Sequence, residues 1–137
     1  MPHPVQAERL LNELDHRRLT LLRERHPPQD IPEEIDELLA GADTLPPAAM
    51  PPDVVTLQTR LLVEEAAGAE RRELVLCYPP DSDPATGHVS VLSPLGAALL
   101  GQHTGATVRW LAPDGTDKSL RIAAILFQPE ASGDYTL

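Results

Sequence analysis

The sequence predicts an α+β protein, in which a short antiparallel helical hairpin precedes a mostly antiparallel, bent sheet that carries one short helix. Three observations support this prediction. Apolar residues recur at helical spacing in the first 43 residues, four prolines fall between Thr44 and Asp53, and strand-like runs separated by turn residues follow. We therefore expect a helical hairpin over residues 1–43, a stiff proline-rich linker over 44–53 and a second domain over 54–137.

The hairpin is predicted from the apolar pattern of two amphipathic helices. Leucines at i, i+3 and i+4 spacing predict a first helix from Val5 to about Arg25, and Pro27-Pro28 ends it. Asp30 is the expected N-cap of a second helix over 31–42, with a proline in its first turn and Glu33 at capping-box spacing. Helices this short are marginal alone, so each is expected to pack against the other or against the second domain.

Five strand-like runs follow the linker, and turn residues separate them. The runs are Val54–Val63, Arg72–Tyr78, His88–Leu92, Thr107–Leu111 and Ser119–Phe127. Asp114-Gly115, between the last two runs, is typical of a β-hairpin turn. A short apolar helix between the third and fourth runs starts at Ser93-Pro94, because serine caps a helix and proline suits its first turn. Gly101 is expected to end this helix.

The chain is acidic along its whole length, with a formal net charge of −10 over 137 residues. Five Lys/Arg stand against eleven Asp/Glu up to Asp53, and six stand against ten after it. Neither part therefore offers the basic face that independent nucleic-acid binding needs. The acidity either serves solubility alone or suits a basic surface on a protein partner, and the composition does not decide between these two roles.

Several chemical functions have no support in the residue pattern. The five histidines show no zinc-ligand spacing and no phosphate-binding glycine motif is present, so neither a metal nor a cofactor is expected. Cys77 is the single cysteine, which excludes an internal disulfide, and it falls in an expected core strand. Neither a signal peptide nor a run of about 20 apolar residues is found, so we expect a cytoplasmic protein with no membrane association.

Two parts of the second domain resemble a known family. The segment V-L-S-P-L-G-A-A-L-L-G, residues 91–101, resembles the C-terminal domain of the bacterial Gre transcription factors. Tyr78-Pro79 and the tail Q-P-E-A-S-G-D-Y, residues 128–135, resemble the branch called regulator of nucleoside diphosphate kinase.

The resemblance implies an FKBP-like fold for residues 54–137 and docking on bacterial RNA polymerase. It places the docking surface on Leu92, Ser93, Pro94, Leu95 and Gly96. The same residues also form a necessary strand-to-helix turn, and the two roles are compatible.

The tip of the hairpin decides whether a Gre-like protein cleaves RNA. In Gre factors, acidic residues at the tip of a long coiled coil hold a magnesium ion that activates water for cleavage. The acidic residues near the tip of this chain are Glu24, Asp30, Glu33 and Glu34. A role as cap and first-turn carboxylates, facing the helix dipole, explains the last three better than metal binding does.

The predicted hairpin is also short, because a second helix of about 12 residues is roughly 18 Å long, less than a Gre-type arm. We therefore predict a monomeric, non-enzymatic transcription regulator. It would bind core RNA polymerase at the entrance of the secondary channel and compete with Gre-type factors without cleaving RNA. Two alternatives stay open: a cleavage-stimulating Gre-like elongation factor, and an adaptor that binds another protein, such as nucleoside diphosphate kinase, through the hairpin.

Overall fold

The computed structural model describes residues 9–65 and 70–133. Three sequence predictions therefore fall wholly or partly outside the described residues. They concern the start of the first helix at Val5, the turn at 66–68 between the first two strand-like runs, and the end of the tail motif at Asp134 and Tyr135.

The hairpin consists of two helices whose outer ends pair as short strands. The order along the chain is β1 (Leu10–Asn12), α1 (Glu13–Glu24), α2 (Glu33–Gly41) and β2 (Asp43–Leu45). Strands β1 and β2 pair in parallel, with Leu10 opposite Asp43 and Asn12 opposite Leu45, and this pairing closes the base of the hairpin. A single 3₁₀ turn, Pro28–Asp30, lies between the helices at the tip.

Two predicted helix starts are wrong, each for a local reason. The first helix begins at Glu13, because residues 10–12 are taken up by the β1–β2 pairing. The second begins at Glu33 and has no side-chain cap, so Asp30 is not its N-cap. Ile31 precedes a proline and is extended (φ −103°, ψ 118°), which is the conformation that a following proline favours, and this moves the helix start past Pro32.

The second part of the chain is a five-stranded sheet with one short helix, as predicted. Its strands are β3 (Arg60–Glu65), β4 (Arg71–Cys77), β5 (His88–Ser90), β6 (Thr107–Leu111) and β7 (Asp117–Phe127), and α3 (Pro94–Leu99) lies between β5 and β6 in the chain. The strand order is β5-β4-β3-β7-β6, and all pairs are antiparallel except β4–β5. Two register shifts between β3 and β7 are consistent with bends in the sheet.

The first strand of this sheet starts six residues later than predicted. Residues 54–59 do not continue the strand, because Thr59 N–H donates to Thr56 O and closes a turn. Gln58 in this turn has a positive φ of 69°, which is uncommon for a residue with a side chain. The turn places the side chains of 56 and 59 next to each other in the interior.

One apolar core joins the hairpin to the sheet. Seven apolar residues of β3, β4, β6 and β7 are almost completely buried: Leu61, Val63, Leu74, Leu76, Val108, Leu120 and Ile122. Leu19 of α1 and Ile35 of α2 belong to the same cluster, as does Leu99 of α3. The base of the hairpin is therefore packed on the second domain, although the predicted division at 44–53 stays a prediction. None of the helices in the described ranges has the length and apolar character that a membrane-spanning segment needs.

Candidate functional site

The turn from β5 into α3 is held by the side chain of Ser93. The Ser93 backbone is extended (φ −79°, ψ 159°), and its Oγ accepts a hydrogen bond from Gly96 N at 3.0 Å. The same hydroxyl donates to Ser90 O at 2.7 Å. The capping role predicted for Ser93 is confirmed, with Pro94 in the first turn of the helix.

Gly96 is required because α3 lies directly against the end of β5. A Cβ atom at this position would lie 1.9 Å from the carbonyl oxygen of Ser90, which is backbone and has little room to move. Gly96 is itself buried, so it shapes the turn and offers no side chain to a partner. Of the other predicted docking residues, Pro94 is exposed, and Leu92, Ser93 and Leu95 are half-buried.

The four acidic residues predicted at the tip of the hairpin do not stay together. Glu24, Asp30 and Glu33 are exposed, whereas Glu34 forms an ion pair with Arg9 at 2.7 Å. Burial raises the pKa of Glu34, and the Arg9 guanidinium opposes this shift. Glu34 is therefore held against the base of the hairpin by an ion pair.

The side of the hairpin near its tip has a shallow cleft of about 400 Å³, lined by Arg23, Pro28, Ile31 and Asp36. Arg23 and Asp36 form an exposed ion pair across the two helices at 3.1 Å. Within the described ranges, no three His, Cys, Asp or Glu side chains come together in an arrangement that could hold a metal ion.

A buried polar cluster at the base of the hairpin was not predicted from the sequence. Asn12 and Asp15, from the hairpin, meet Thr56, Thr59 and Glu130, which flank the strands of the five-stranded sheet, and all five are almost completely buried. Asp15 Oδ2 accepts from Leu57 N at 3.1 Å, and the two threonine hydroxyls are 2.9 Å apart. The sequence does carry one signal of this cluster, because Asp15 lies four residues from both Leu11 and Leu19, in the middle of a buried stripe.

Burial dominates the electrostatics of this cluster. It raises the pKa of Asp15 to about 7, the Leu57 amide opposes the shift, and the nearby Glu130 charge adds to it. Burial likewise raises the pKa of Tyr78 to about 12, with a further increase from the negative charge of Asp15. The positive charge of Arg18 lowers both pKa values. Tyr78, one of the residues of the family resemblance, thus lies beside the junction between hairpin and sheet.

Comparisons with known proteins match both parts of the chain. The family model described as "Transcription elongation factor, GreA/GreB, C-term" matches residues 50–127, which include the β5–α3 turn. A "Regulator of nucleoside diphosphate kinase" from Escherichia coli (strain K12) is 34% identical over 130 residues, which is 93% of this chain and 96% of that protein. The "Transcription elongation factor GreA" of Clostridium acetobutylicum is 28% identical over 85 residues, which is 62% of this chain and 54% of that protein.

Among solved structures, the "Prokaryotic transcription elongation factor GreA/GreB from Nitrosomonas europaea" superposes with a TM-score of 0.74. It is 31% identical, and the match covers 88% of this chain and 100% of that chain. The hairpin and the sheet domain are therefore both found in a relative of similar length.

Proposed function

Because the chain belongs to the GreA/GreB family, in the branch of the regulators of nucleoside diphosphate kinase, we propose that it is a non-enzymatic regulator of transcription. It binds bacterial core RNA polymerase at the entrance of the secondary channel and competes with Gre-type factors without cleaving RNA. This function also assigns the chain to the cytoplasm, where the polymerase acts.

The β5–α3 turn is the observation that carries the docking half of this proposal. Ser93 fixes the turn with two hydrogen bonds, at 2.7 and 3.0 Å, and Pro94 restricts the backbone at its exposed corner. A turn that is already rigid loses little conformational entropy when a partner binds it. The half-buried Leu92 and Leu95 flank Pro94 and offer apolar surface to the polymerase.

The dimensions of the hairpin support the absence of cleavage. Helix α1 has 12 residues and α2 has nine, which correspond to about 18 Å and 14 Å. Metal-dependent cleavage needs carboxylates held with sub-ångström precision at the reacting phosphate. Glu34 is bound by Arg9, and the three other tip acids, Glu24, Asp30 and Glu33, are exposed and spread over two elements and a connection.

A competition experiment tests the proposal. Core RNA polymerase is incubated with a labelled, cleavage-competent Gre factor, this protein is titrated in, and RNA cleavage is followed in parallel. We expect displacement of the Gre factor with falling cleavage. RNA shortening that depends on this protein would show a cleavage factor instead, and a lack of displacement would refute docking at the shared site.

Two matched substitutions locate the docking surface. Leu95→Asp should weaken displacement strongly, because it puts a charge into the apolar part of the turn. Leu111→Asp makes the same chemical change at a leucine of β6 whose side chain is 58% exposed, and it should leave displacement of the Gre factor unchanged. Equal effects of the two variants would contradict docking through the β5–α3 turn.

The name of the Escherichia coli relative favours one second candidate, an adaptor that binds nucleoside diphosphate kinase through the hairpin. Charge reversal at the exposed tip residues, Glu24→Lys with Glu33→Lys, would then abolish kinase binding while Leu95→Asp would not. Purified kinase and the full-length variants are sufficient for this comparison, by calorimetry or light scattering. Absence of kinase binding by the wild-type protein would eliminate the adaptor.

A further inference from the structure

The tail motif after the last strand is not used by the proposed function, yet its first residues are buried. Gln128 is 2% exposed and Glu130 is 9% exposed, and both carry side chains that usually lie at the surface. A buried carboxylate and a buried amide are costly unless each finds hydrogen-bond partners. The partners of these two residues come from distant parts of the chain.

Gln128 ties the tail to the end of the proline-rich linker. Its Nε2 donates to Pro51 O and to Val54 O, each at 2.8 Å, and its Oε1 accepts from Ala131 N at 3.1 Å. The amide NH2 and the amide oxygen of Gln128 therefore both have backbone partners. The side chain thus takes the place of regular secondary structure where the chain passes from the linker into the sheet domain.

Glu130 bridges the sheet domain and the hairpin with its two carboxylate oxygens. Oε1 accepts from the Thr56 hydroxyl at 2.7 Å, and Oε2 accepts from Asn12 Nδ2. Asn12 is the N-cap of α1, where its Oδ1 accepts from Asp15 N at 2.6 Å. One carboxylate is therefore bonded directly to the residue from which the first helix of the hairpin starts.

We propose that the segment Gln128–Glu130 is a clasp that fixes the direction of the helical hairpin relative to the five-stranded sheet, with Glu130 as the positioning residue. The apolar contacts of the hairpin are not directional, and the β1–β2 pairing lies within the hairpin itself. The Asp15–Leu57 bond and the Arg9 bonds to α3 also join the hairpin to the rest of the chain, and Glu130 adds to them a bond on each side of the junction. The bonds of Glu130 are directional and buried, where hydrogen-bond geometry is strongly enforced. The functional part of this inference rests on the proposed function, since competition at the channel needs the hairpin to point into it.

An exchange of partners tests the clasp directly. Glu130→Ala removes both acceptors, and Asn12→Asp places a second carboxylate against Glu130, so each of these single variants breaks the bridge. Glu130→Gln alone would keep it, because the amide can turn its oxygen toward Asn12 and its NH2 toward the Thr56 hydroxyl. The double variant, Asn12→Asp with Glu130→Gln, restores a donor and an acceptor with the same total charge. It also keeps an acceptor at the N-cap of α1.

The readout is the distance between hairpin and sheet, measured by electron paramagnetic resonance on the full-length chain. Spin labels are attached to cysteines at Leu21 on α1 and Lys118 on β7, both exposed, while the fully buried Cys77 stays unlabelled. The wild type should give one narrow distance distribution. Each of the two bridge-breaking single variants should give a distribution about twofold broader, and the double variant should return to the narrow one. Glu73→Ala, at an exposed glutamate on β4, is the matched control and should change nothing.

A narrow, wild-type distribution in both folded single variants would overturn the clasp, as would failure of the double variant to restore it. If a single variant does not fold, the double variant decides, because only a restored bridge predicts that it folds with the narrow distribution. This distance experiment does not depend on the polymerase, so it separates failure of the clasp from failure of the proposed function.

The functional readout is inhibition of Gre-dependent RNA cleavage. Glu130→Ala should still bind core polymerase, since the β5–α3 turn is unchanged, but with about tenfold lower affinity because the hairpin is less preorganised, and it should therefore inhibit cleavage about tenfold less well. The double variant should recover inhibition. Unchanged inhibition in a variant with a broad distance distribution would overturn the positioning role of Glu130.

Discussion

Replacing Asp15 with asparagine should remove much of the pH dependence of folding stability. Burial raises the pKa of this carboxyl from 3.8 to about 7 in the folded chain. The folded state therefore keeps a proton between pH 4 and pH 7 that the unfolded state releases, so the free energy of unfolding falls as the pH rises through this window. At about 1.4 kcal/mol per pKa unit, the wild type should lose about 2 kcal/mol of stability between pH 5 and pH 7 through this one group.

Urea denaturation at pH 5 and pH 7 measures this loss. Asp15→Asn keeps the size of the side chain and an oxygen that accepts from Leu57 N, but it cannot ionise. The variant should be more stable than the wild type at pH 7, and its stability should differ by less than about 1 kcal/mol between the two pH values. Glu24→Gln removes one carboxylate from an exposed position of the same helix and controls for overall charge. An Asp15→Asn variant whose stability falls with pH as steeply as that of the wild type would refute the reasoning.

Three further predictions concern local geometry, and each is checked by urea denaturation. Gly96→Ala should lower the free energy of unfolding by about 3 kcal/mol or more, because the added Cβ would overlap Ser90 O. Gly41→Ala, where the added Cβ meets open space, is the control and should be neutral or stabilising. Similar effects of the two substitutions would contradict the packing argument. Ser93→Ala should cost about 1 kcal/mol through loss of the helix cap, and an unchanged midpoint would show that water replaces the cap. Gln58→Gly should stabilise by up to about 1 kcal/mol by relieving the positive φ of 69°, and destabilisation would show that the side chain contributes more than the strain costs.

Local sequence patterns were sufficient for most of the architecture. The spacing of leucines predicted two helices, and serine before proline predicted the start of α3, because these patterns report on neighbours within one or two turns. The pairing of β1 with β2 was missed, since three-residue strands that pair across 30 residues carry no periodic signal. The misplaced N-cap at Asp30 shows a competition between two local rules, in which the restriction on the residue before proline won over the capping box.

The buried cluster at the hairpin base could not be predicted for a different reason. Glu130 meets Asn12 only after the tail has crossed the sheet domain, and the two residues are 118 positions apart in the sequence. A glutamate in a polar tail is normally a surface residue, so its burial follows from tertiary structure alone. Asp15 in an apolar stripe was the one local sign, and it identifies a buried polar contact without identifying its partner.

Polar contacts attach the hairpin to the rest of the chain both at the end of α3, through Arg9, and in the buried cluster, through Glu130 and Asp15, and this determines what loss of Glu130 would do. Arg9 donates to Leu100 O at 2.9 Å and to Ala97 O at 2.6 Å, at the end of α3, and it pairs with Glu34 of α2. This contact links the hairpin to the helix whose first turn is the proposed docking surface, and Glu130 lies in neither element. Without the bridge from Glu130, the hairpin keeps the Arg9 contact and the Asp15–Leu57 bond but loses the bond at Asn12, and it gains freedom to pivot about the contacts that remain. Loss of the clasp therefore loosens the direction of the tip while the docking turn stays intact, which is why the Glu130→Ala variant should still dock on the polymerase but should displace a Gre factor less well.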